Sequence, residues 1–527
     1  MGGRDDWLTF LKRNFFRWRT PGFGKEGNMR VKFRPINFLC FFFALAGAVS
    51  AAEKLSPDVA KALNSIQPFD AYSITKHLAS KEFAGRLTGH EGYTAAARWA
   101  AGRFKAWGLK PFSKEAGYLQ PYPSPYVVVD QAEMTLYPAE KAEGTKEPAV
   151  QEMKLQPEKD FLPLLFSDSG EHTGDLVFAG WGISAPDLGY DDYAGIDVQG
   201  KFVLCFRGTP DPADKRYEEH DHHRYRMKTA KAKGALGLVY IYDDIASNPN
   251  GEWIEGFIPA EVNTKIADLI LKEKAITAAD LRKDLTTYKR PISFPLQARV
   301  QLKIEARHFP DGIGYNVVGI AAGTDPVLKK ECLVIGGHFD HNGLHMGLLF
   351  PGADDNASGS AAVMEIGEAF SRLAGKPKRS VIFVLFGGEE KGLMGSEYFV
   401  EHLPPGFSKV DAMFNFDMVG EGDRAGIGYS AASPELKTLL EEADAHVKTL
   451  SGSYHIRGVG VRGSDHAPFF QKGIPCVSFH SNGPHLHYHQ TGDTIYRINP
   501  DIMADIARLA FLAAFTRADR AENSQAK

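Results

Sequence analysis

The chain has 527 residues, 43% of them hydrophobic and 24% charged, with 65 acidic against 61 basic side chains for a net charge of −4. That length exceeds what one hydrophobic core serves and predicts two or three domains. The faintly acidic balance excludes a general nucleic-acid binder, which would carry a basic face.

Residues 1–52 form an N-terminal extension. Within it "MRVKFRPINFLCFFFALAGAVSAAEK", starting at Met29, has a basic front, an apolar run from Ile36 to Val49 and small residues at Ala51 and Ala52. This is the pattern of a secretory signal peptide cut near Ala51 or Ala52, and it predicts a secreted or periplasmic protein with no membrane attachment after cleavage. The run is shorter than the ~20 residues a membrane helix needs. Cys40 would leave with the signal; Cys205, Cys332 and Cys476 each lie in an apolar, strand-like run. Scattered and odd in number, they predict buried thiols rather than a disulfide framework, with Cys332–Cys476 the one pairing an oxidising compartment would allow.

Residues 53–160 read as the first part of the larger domain. "YTAAARWAAGRFKAWGL" puts Ala96, Ala97, Ala100, Phe104 and Trp107 on one helical face with Gly108 as a stop, and residues 138–160 read as a solvated loop or edge hairpin. From 161 to 306 the texture changes. "GDLVFAGWGISAP", "KFVLCFRG", "GALGLVYIYDD" and "ISFPLQARVQLKIEAR" are short β-rich runs, with a helical "RYRMKTAKAKGA" before the third. They predict a small β-rich domain inserted into the larger one. From 307 to 527 continuous apolar strands such as "CLVIGGHFD" and "SVIFVLFGGEE" alternate with helices such as "SGSAAVMEIGEAFSRLAG", up to a closing helix after Pro500. The fold class is therefore α/β: a mostly parallel or mixed central sheet covered by helices on both faces.

Chemistry collects where these strands stop. His338 and Asp340, then Glu389 and Glu390, then Asp417, then a histidine cluster each follow an apolar run, and "PGADDNASG" adds Asp354 and Asp355 before a helix. Ligands of open α/β sheets bind in the crevice beyond the carboxyl ends of the strands, so these residues are predicted to meet. Imidazole with carboxylate suits zinc, and so many carboxylates without a cation would repel one another. Among the histidines, spacing alone leaves His485, His487 and His489 equivalent.

"GGHFDH", "GADDNASGSAA", "FGGEEKGLMGSEYF", "NFDMVG" and "SDHAPFFQKGIPCVSF…YHQTGDT", with the upstream "EFAGRLTGHEGYTAAARWAAGRF", resemble the co-catalytic zinc aminopeptidases of peptidase family M28. The inserted "VFAGWGISAPDLGYDDYAGIDVQGKFVLCFRG" resembles the protease-associated (PA) domain. The resemblance implies a metallo-aminopeptidase with two zinc ions per chain acting on peptide substrates. It assigns His338 and Asp417 to one zinc, Glu390 and His489 to the other, and Asp354 as the bridge, with Asp355 ordering the loop. Glu389 would be the general base, Asp340 the carboxylate that orients His338, and Tyr488 a donor to the developing oxyanion. Asp465 and His466 would shape the pocket. His341 and His345 fall outside the pattern, and His220, His222 and His223 are read as a solvated loop. Relatives of the same fold include one-zinc glutaminyl cyclases, carboxypeptidases and receptors without metal ligands; the filled ligand set counts against the first and last.

Overall fold

The structure is a computed structural model that describes residues 54–139, 152–423, 427–431, 433–450, 454–455 and 463–521. The signal-peptide expectation and Cys40 lie outside the described residues.

Four parallel strands make the centre of the larger sheet, in the order Ser380–Phe386, Glu331–His338, Lys409–Phe416, Cys476–Ser481. Antiparallel strands flank them, Ile313–Ala321 on one side and Ile427–Ala431 on the other. The side-chain period of two explains why the central runs are continuously apolar. Val381, Phe383 and Leu385 enter one core, while Ile382, Val384 and Phe386 enter the core on the opposite face. A strand buried on both faces has no side to give to water. The first face carries the helices Glu91–Ala106, Gly359–Arg372, Pro434–Val447 and Pro500–Asp519; the second carries Met394–Glu401 and His466–Gln471. The packing is close: the rings of Phe370 and Phe383 meet at 5.6 Å. Truncating Phe383 to Ala would cost about 3–5 kcal/mol. On Glu91–Ala106 the apolar face predicted from spacing is the buried one: Ala96, Ala97, Ala100 and Phe104 have no exposure. Its C-cap, Trp107, is followed by Gly108 at φ 76°.

A second sheet has the order Met153–Lys154, Tyr126–Tyr137, Ser293–Phe309, Gly170–Ala179, Phe202–Phe206, Gly237–Tyr242, Ala260–Asn263, Phe161–Pro163. It begins earlier than the β-rich run expected at 161–306, because Tyr126–Tyr137 belongs to it and not to the larger sheet. The reason is register. The chain leaves the larger sheet where Pro123 pairs with Ile313, and Tyr126 already pairs with Phe309 in the second sheet. Ser124 N–H donates to the Gly312 carbonyl at 2.7 Å across this neck, and Tyr126 stacks on Phe309 at 4.4 Å. The second sheet has cores of its own, one built around Leu176, Leu204 and Val239 and another around Val177, Val203 and Tyr240.

Cys205, Cys332 and Cys476 are buried and free, so no Cys332–Cys476 bridge forms. Among the described residues no helix is long and apolar enough to cross a membrane.

Candidate metal centre and active site

The parallel strands set the site. His338 is the last residue of Glu331–His338, Asp417 follows Phe416 directly, and Glu389 and Glu390 follow the turn after Phe386. The wide turn Ala353–Ser358 runs into helix Gly359–Arg372 and brings in the aspartate pair. The loop after Cys476–Ser481 brings His485 to His489.

At the centre one carboxylate serves two imidazoles. Asp355 Oδ1 lies 3.1 Å from His338 Nε2, and Asp355 Oδ2 lies 3.3 Å from His489 Nε2. His338 Nε2 is also 3.3 Å from Asp417 Oδ1, and His489 Nε2 is 2.9 Å from Glu390 Oε2. This corrects the placement of the aspartates: Asp355, not Asp354, is the shared carboxylate. Asp354 turns away, its Oδ1 accepting the N–H groups of Gly420 at 2.7 Å and Glu421 at 3.0 Å and its Oδ2 facing His485 Nδ1 at 2.5 Å. Those amides belong to a loop remote in sequence, which local spacing does not reveal.

Asp340 acts differently from expectation. Its carboxylate is 3.9 Å from His338 Nδ1, and it is the Asp340 backbone carbonyl, at 3.3 Å, that accepts from the ring. The carboxylate itself accepts the Glu389 N–H at 3.2 Å, holding the turn of the paired glutamates. Tyr488 is 50% exposed and stacks on the His489 ring at 3.8 Å. Asp465 is fully buried near His338, Asp340 and Asp417, and burial pushes its carboxyl up to about 7.

Other residues passed over in the sequence build the support. Asp493, in "HQTGDT", accepts the N–H groups of Asp354 at 2.8 Å and Asp355 at 3.0 Å, so it sets where the aspartate turn sits. Arg86, fully buried, donates to the carbonyls of Phe339, Leu78, Pro351 and Gly352 at 2.6–2.9 Å. It ties the loop after His338 to the loop before Asp354, and its motif "EFAGRLTG" was the available signal. His341, set aside in the sequence, is buried with Nδ1 2.7 Å from Glu390 Oε1. His345 is also buried: its Nδ1 accepts the Val129 N–H at 3.0 Å and its Nε2 donates to the Asn342 carbonyl at 2.9 Å. His223 is no part of a solvated loop; it is buried at the start of helix His223–Ala232 and meets the Asn248 amide at 3.1 Å.

The electrostatics follow from burying this many charges together. Burial alone would lower the imidazoles, but Asp417 and Glu389 around His338, and Glu390 and Asp355 around His489, raise both well above the usual value. Burial works against Asp355 and Glu390 as anions, yet the histidines hold Asp355 well below the usual carboxylate range and Glu390 at about 2. Glu389 goes the other way, raised well above that range by burial and by the neighbouring carboxylates Glu390, Asp417 and Asp465, against the pull of His338. Two adjacent glutamates thus end in opposite states, one paired to imidazoles and one free of them.

The donor set fits a metal. A carbonyl oxygen only accepts, so His338 Nδ1, on the Asp340 carbonyl, and His489 Nδ1, on the Ser247 carbonyl at 2.8 Å, must carry protons. Without a metal the raised imidazoles carry a second proton, at Nε2, and pair with the carboxylates; a metal ion taking the place of those protons would meet an Nε2 lone pair on each ring among carboxylate oxygens. Ligand atoms of His338, Asp355 and Glu390, all buried, lie within 4.8 Å of one another. Imidazole and carboxylate are the donors zinc takes.

Residues 316–514 match the model of Peptidase family M28. The chain is 35% identical to leupeptin-inactivating enzyme 1 of Streptomyces exfoliatus over 31% of its own length and 34% of that protein, so the match spans about a third of that relative. It is 24% identical to the aminopeptidase YwaD of Bacillus subtilis (strain 168) over 71% of this chain and 73% of the relative. An aminopeptidase from Aneurinibacillus sp. strain AM-1 has the same fold, with a TM-score of 0.61 over 88% of this chain and 97% of that one, at 21% identity.

Proposed function

We propose, from the match of residues 316–514 to Peptidase family M28, that the protein is a secreted or periplasmic zinc aminopeptidase, removing residues from the free N-terminus of peptides. The observation that carries this reading is the shared carboxylate: Asp355 reaches His338 at 3.1 Å and His489 at 3.3 Å, with Asp417 on one imidazole and Glu390 on the other. Such a set suits two ions, His338 and Asp417 holding one, His489 and Glu390 the other, and Asp355 both. Zinc bound there would supply Lewis acidity toward a carbonyl and a lowered pKa for water.

The chain's own groups do the rest. His338 and His489 face Asp355, Asp417 and Glu390 rather than Glu389. Glu389 is left to take a proton from water and give it to the leaving amine. Asp340 keeps it in place by accepting its backbone N–H at 3.2 Å. Tyr488, beside His489, is placed to donate to the carbonyl oxygen as negative charge develops on it. A cleft rich in carboxylates complements the α-ammonium of a free peptide N-terminus. The second sheet is read as a PA domain, and the apolar run after Met29 as the signal that exports the protein.

The test is a mass-spectrometric digest of one short peptide with a free, an N-acetylated and a Gln N-terminus, using zinc-loaded protein. Stepwise N-terminal loss from the free forms alone is the expected result. Loss of ammonia from the Gln peptide without cleavage would make the protein a cyclase, and trimming from the other end a carboxypeptidase. No change at all would leave it a binding protein.

A further inference from the structure

His489 is held from outside the larger sheet. Its Nδ1–H donates to the Ser247 carbonyl at 2.8 Å, while its own carbonyl accepts both the Ser247 N–H and the Ser247 hydroxyl at 2.9 Å. Three hydrogen bonds from one residue of the second sheet therefore fix the ring, tautomer and backbone of His489, which sits at φ 57° in the left-handed region. The neighbouring residues extend the seam: Gln490 Nε2 donates to the Ile245 carbonyl at 3.0 Å, and Thr491 N–H to Glu158 Oε1 at 2.8 Å.

The segment that carries Ser247 is itself tied down on its far side. Ala246 N–H donates to Glu261 Oε1 at 2.8 Å, and Glu261 is a fully buried carboxylate on strand Ala260–Asn263. Leu165 N–H donates to the Asn248 carbonyl at 2.9 Å, and the Asn248 amide meets His223 Nε2 at 3.1 Å. Each flank of Ser247 is thus anchored in the body of the second sheet. His338, by contrast, takes its Nδ1 partner from Asp340 on its own loop. The two imidazoles of the site are therefore supported by different parts of the chain.

We infer that the loop 243–250 of the inserted second sheet is a positioning element for His489, so that the inserted module sets the metal affinity of the Glu390–His489 side of the site and leaves the His338–Asp417 side to the larger sheet. This rests on the zinc reading above. A carbonyl behind a metal-binding imidazole keeps the lone pair on the far nitrogen and aims it; losing such outer support typically weakens metal binding about 10–100-fold. With Ser247 the carbonyl, amide and hydroxyl act as one unit, and only the hydroxyl can be removed by substitution without altering the backbone. The S247A change lies at the gentle end of that range.

The experiment is a zinc titration of the full chain against a chromophoric chelator, resolving two affinities, with melting of the metal-free protein recorded alongside. In Ser247→Ala one of the two affinities, that of the Glu390–His489 side, is expected to fall roughly tenfold, the other to stay within about twofold, and the metal-free melting temperature to hold. Ser247→Thr, which keeps the hydroxyl, restores the lost affinity. Asn248→Ala loosens the same loop from the second-sheet side and gives the same one-site loss. Unchanged affinities in both Ser247→Ala and Asn248→Ala would overturn the inference. So would an equal weakening of both sites with a lowered melting temperature, which marks a structural role only. A wild-type chain that binds no zinc would instead overturn the metal reading, and this inference with it.

Discussion

Asp354 and Asp355 are adjacent, chemically identical and both buried, and the structure gives them opposite jobs. In Asp355→Asn the side chain keeps its size but loses the charge that lies 3.1 Å from His338 Nε2 and 3.3 Å from His489 Nε2. With zinc bound, the Asp355 carboxylate is a partner of the ion, and removing one partner from a buried charged set costs about 3–5 kcal/mol, whereas in the metal-free site the lost charge also relieves the crowding of carboxylates. At about 1.4 kcal/mol per factor of ten, that is roughly a hundred- to a few-thousand-fold in zinc affinity. Asp354→Asn is milder. An amide oxygen can still accept from Gly420 and Glu421, now at 2.7 and 3.0 Å, so only the contact with His485 is lost. That single charge-assisted bond is worth about 1.5–3 kcal/mol and bears on stability more than on metal. Chelator competition measures the affinity and calorimetry of the metal-free protein the stability. Asp355→Asn should lose zinc with little loss of melting temperature, and Asp354→Asn the reverse. If Asp354→Asn lost zinc a hundredfold while Asp355→Asn retained it, the assignment of the shared carboxylate would be refuted.

Glu389→Gln should bind zinc as the wild type does and lose about 10²–10⁴-fold in peptide hydrolysis, since a proton carrier is removed and no ligand; near-normal turnover would assign the proton to another group. Arg86→Lys cannot replace the fork of donors to Phe339, Leu78, Pro351 and Gly352. Leaving two or more of those carbonyls unpaired should cost about 2–6 kcal/mol and lower the melting temperature, and an unshifted melt would show that the clamp is dispensable. His345 gives a pH signature. Burial lowers its folded pKa to about 4 from an ordinary 6.5, so its contribution is whole above pH 6.5 and is lost as pH falls through 4, to a limit of about 3 kcal/mol. Wild type should therefore lose more stability between pH 7 and 4 than His345→Asn, and equal losses in the two proteins would rule out this histidine.

The architecture of the larger sheet is legible in the chain because its cause is local. Continuous apolar runs such as residues 381–386 mean strands buried on both faces, and polar residues placed just after them must share the crevice at the strand ends. His338, Glu390, Asp417 and His489 are found that way, or by the motifs around them. The edge of the second sheet is not, because Tyr126–Tyr137 reads equally well as a strand of either sheet until its partner Ser293–Phe309 is known.

What only the tertiary structure decided is the direction in which side chains point. Asp354 is drawn off by the Gly420 and Glu421 amides, the aspartate turn is seated by Asp493, and His489 is aimed by Ser247. Periodicity carries no trace of these contacts, for each joins residues more than sixty positions apart. A carboxylate's role at a buried site is set by which donors reach it first, and those donors arrive only when the chain has folded.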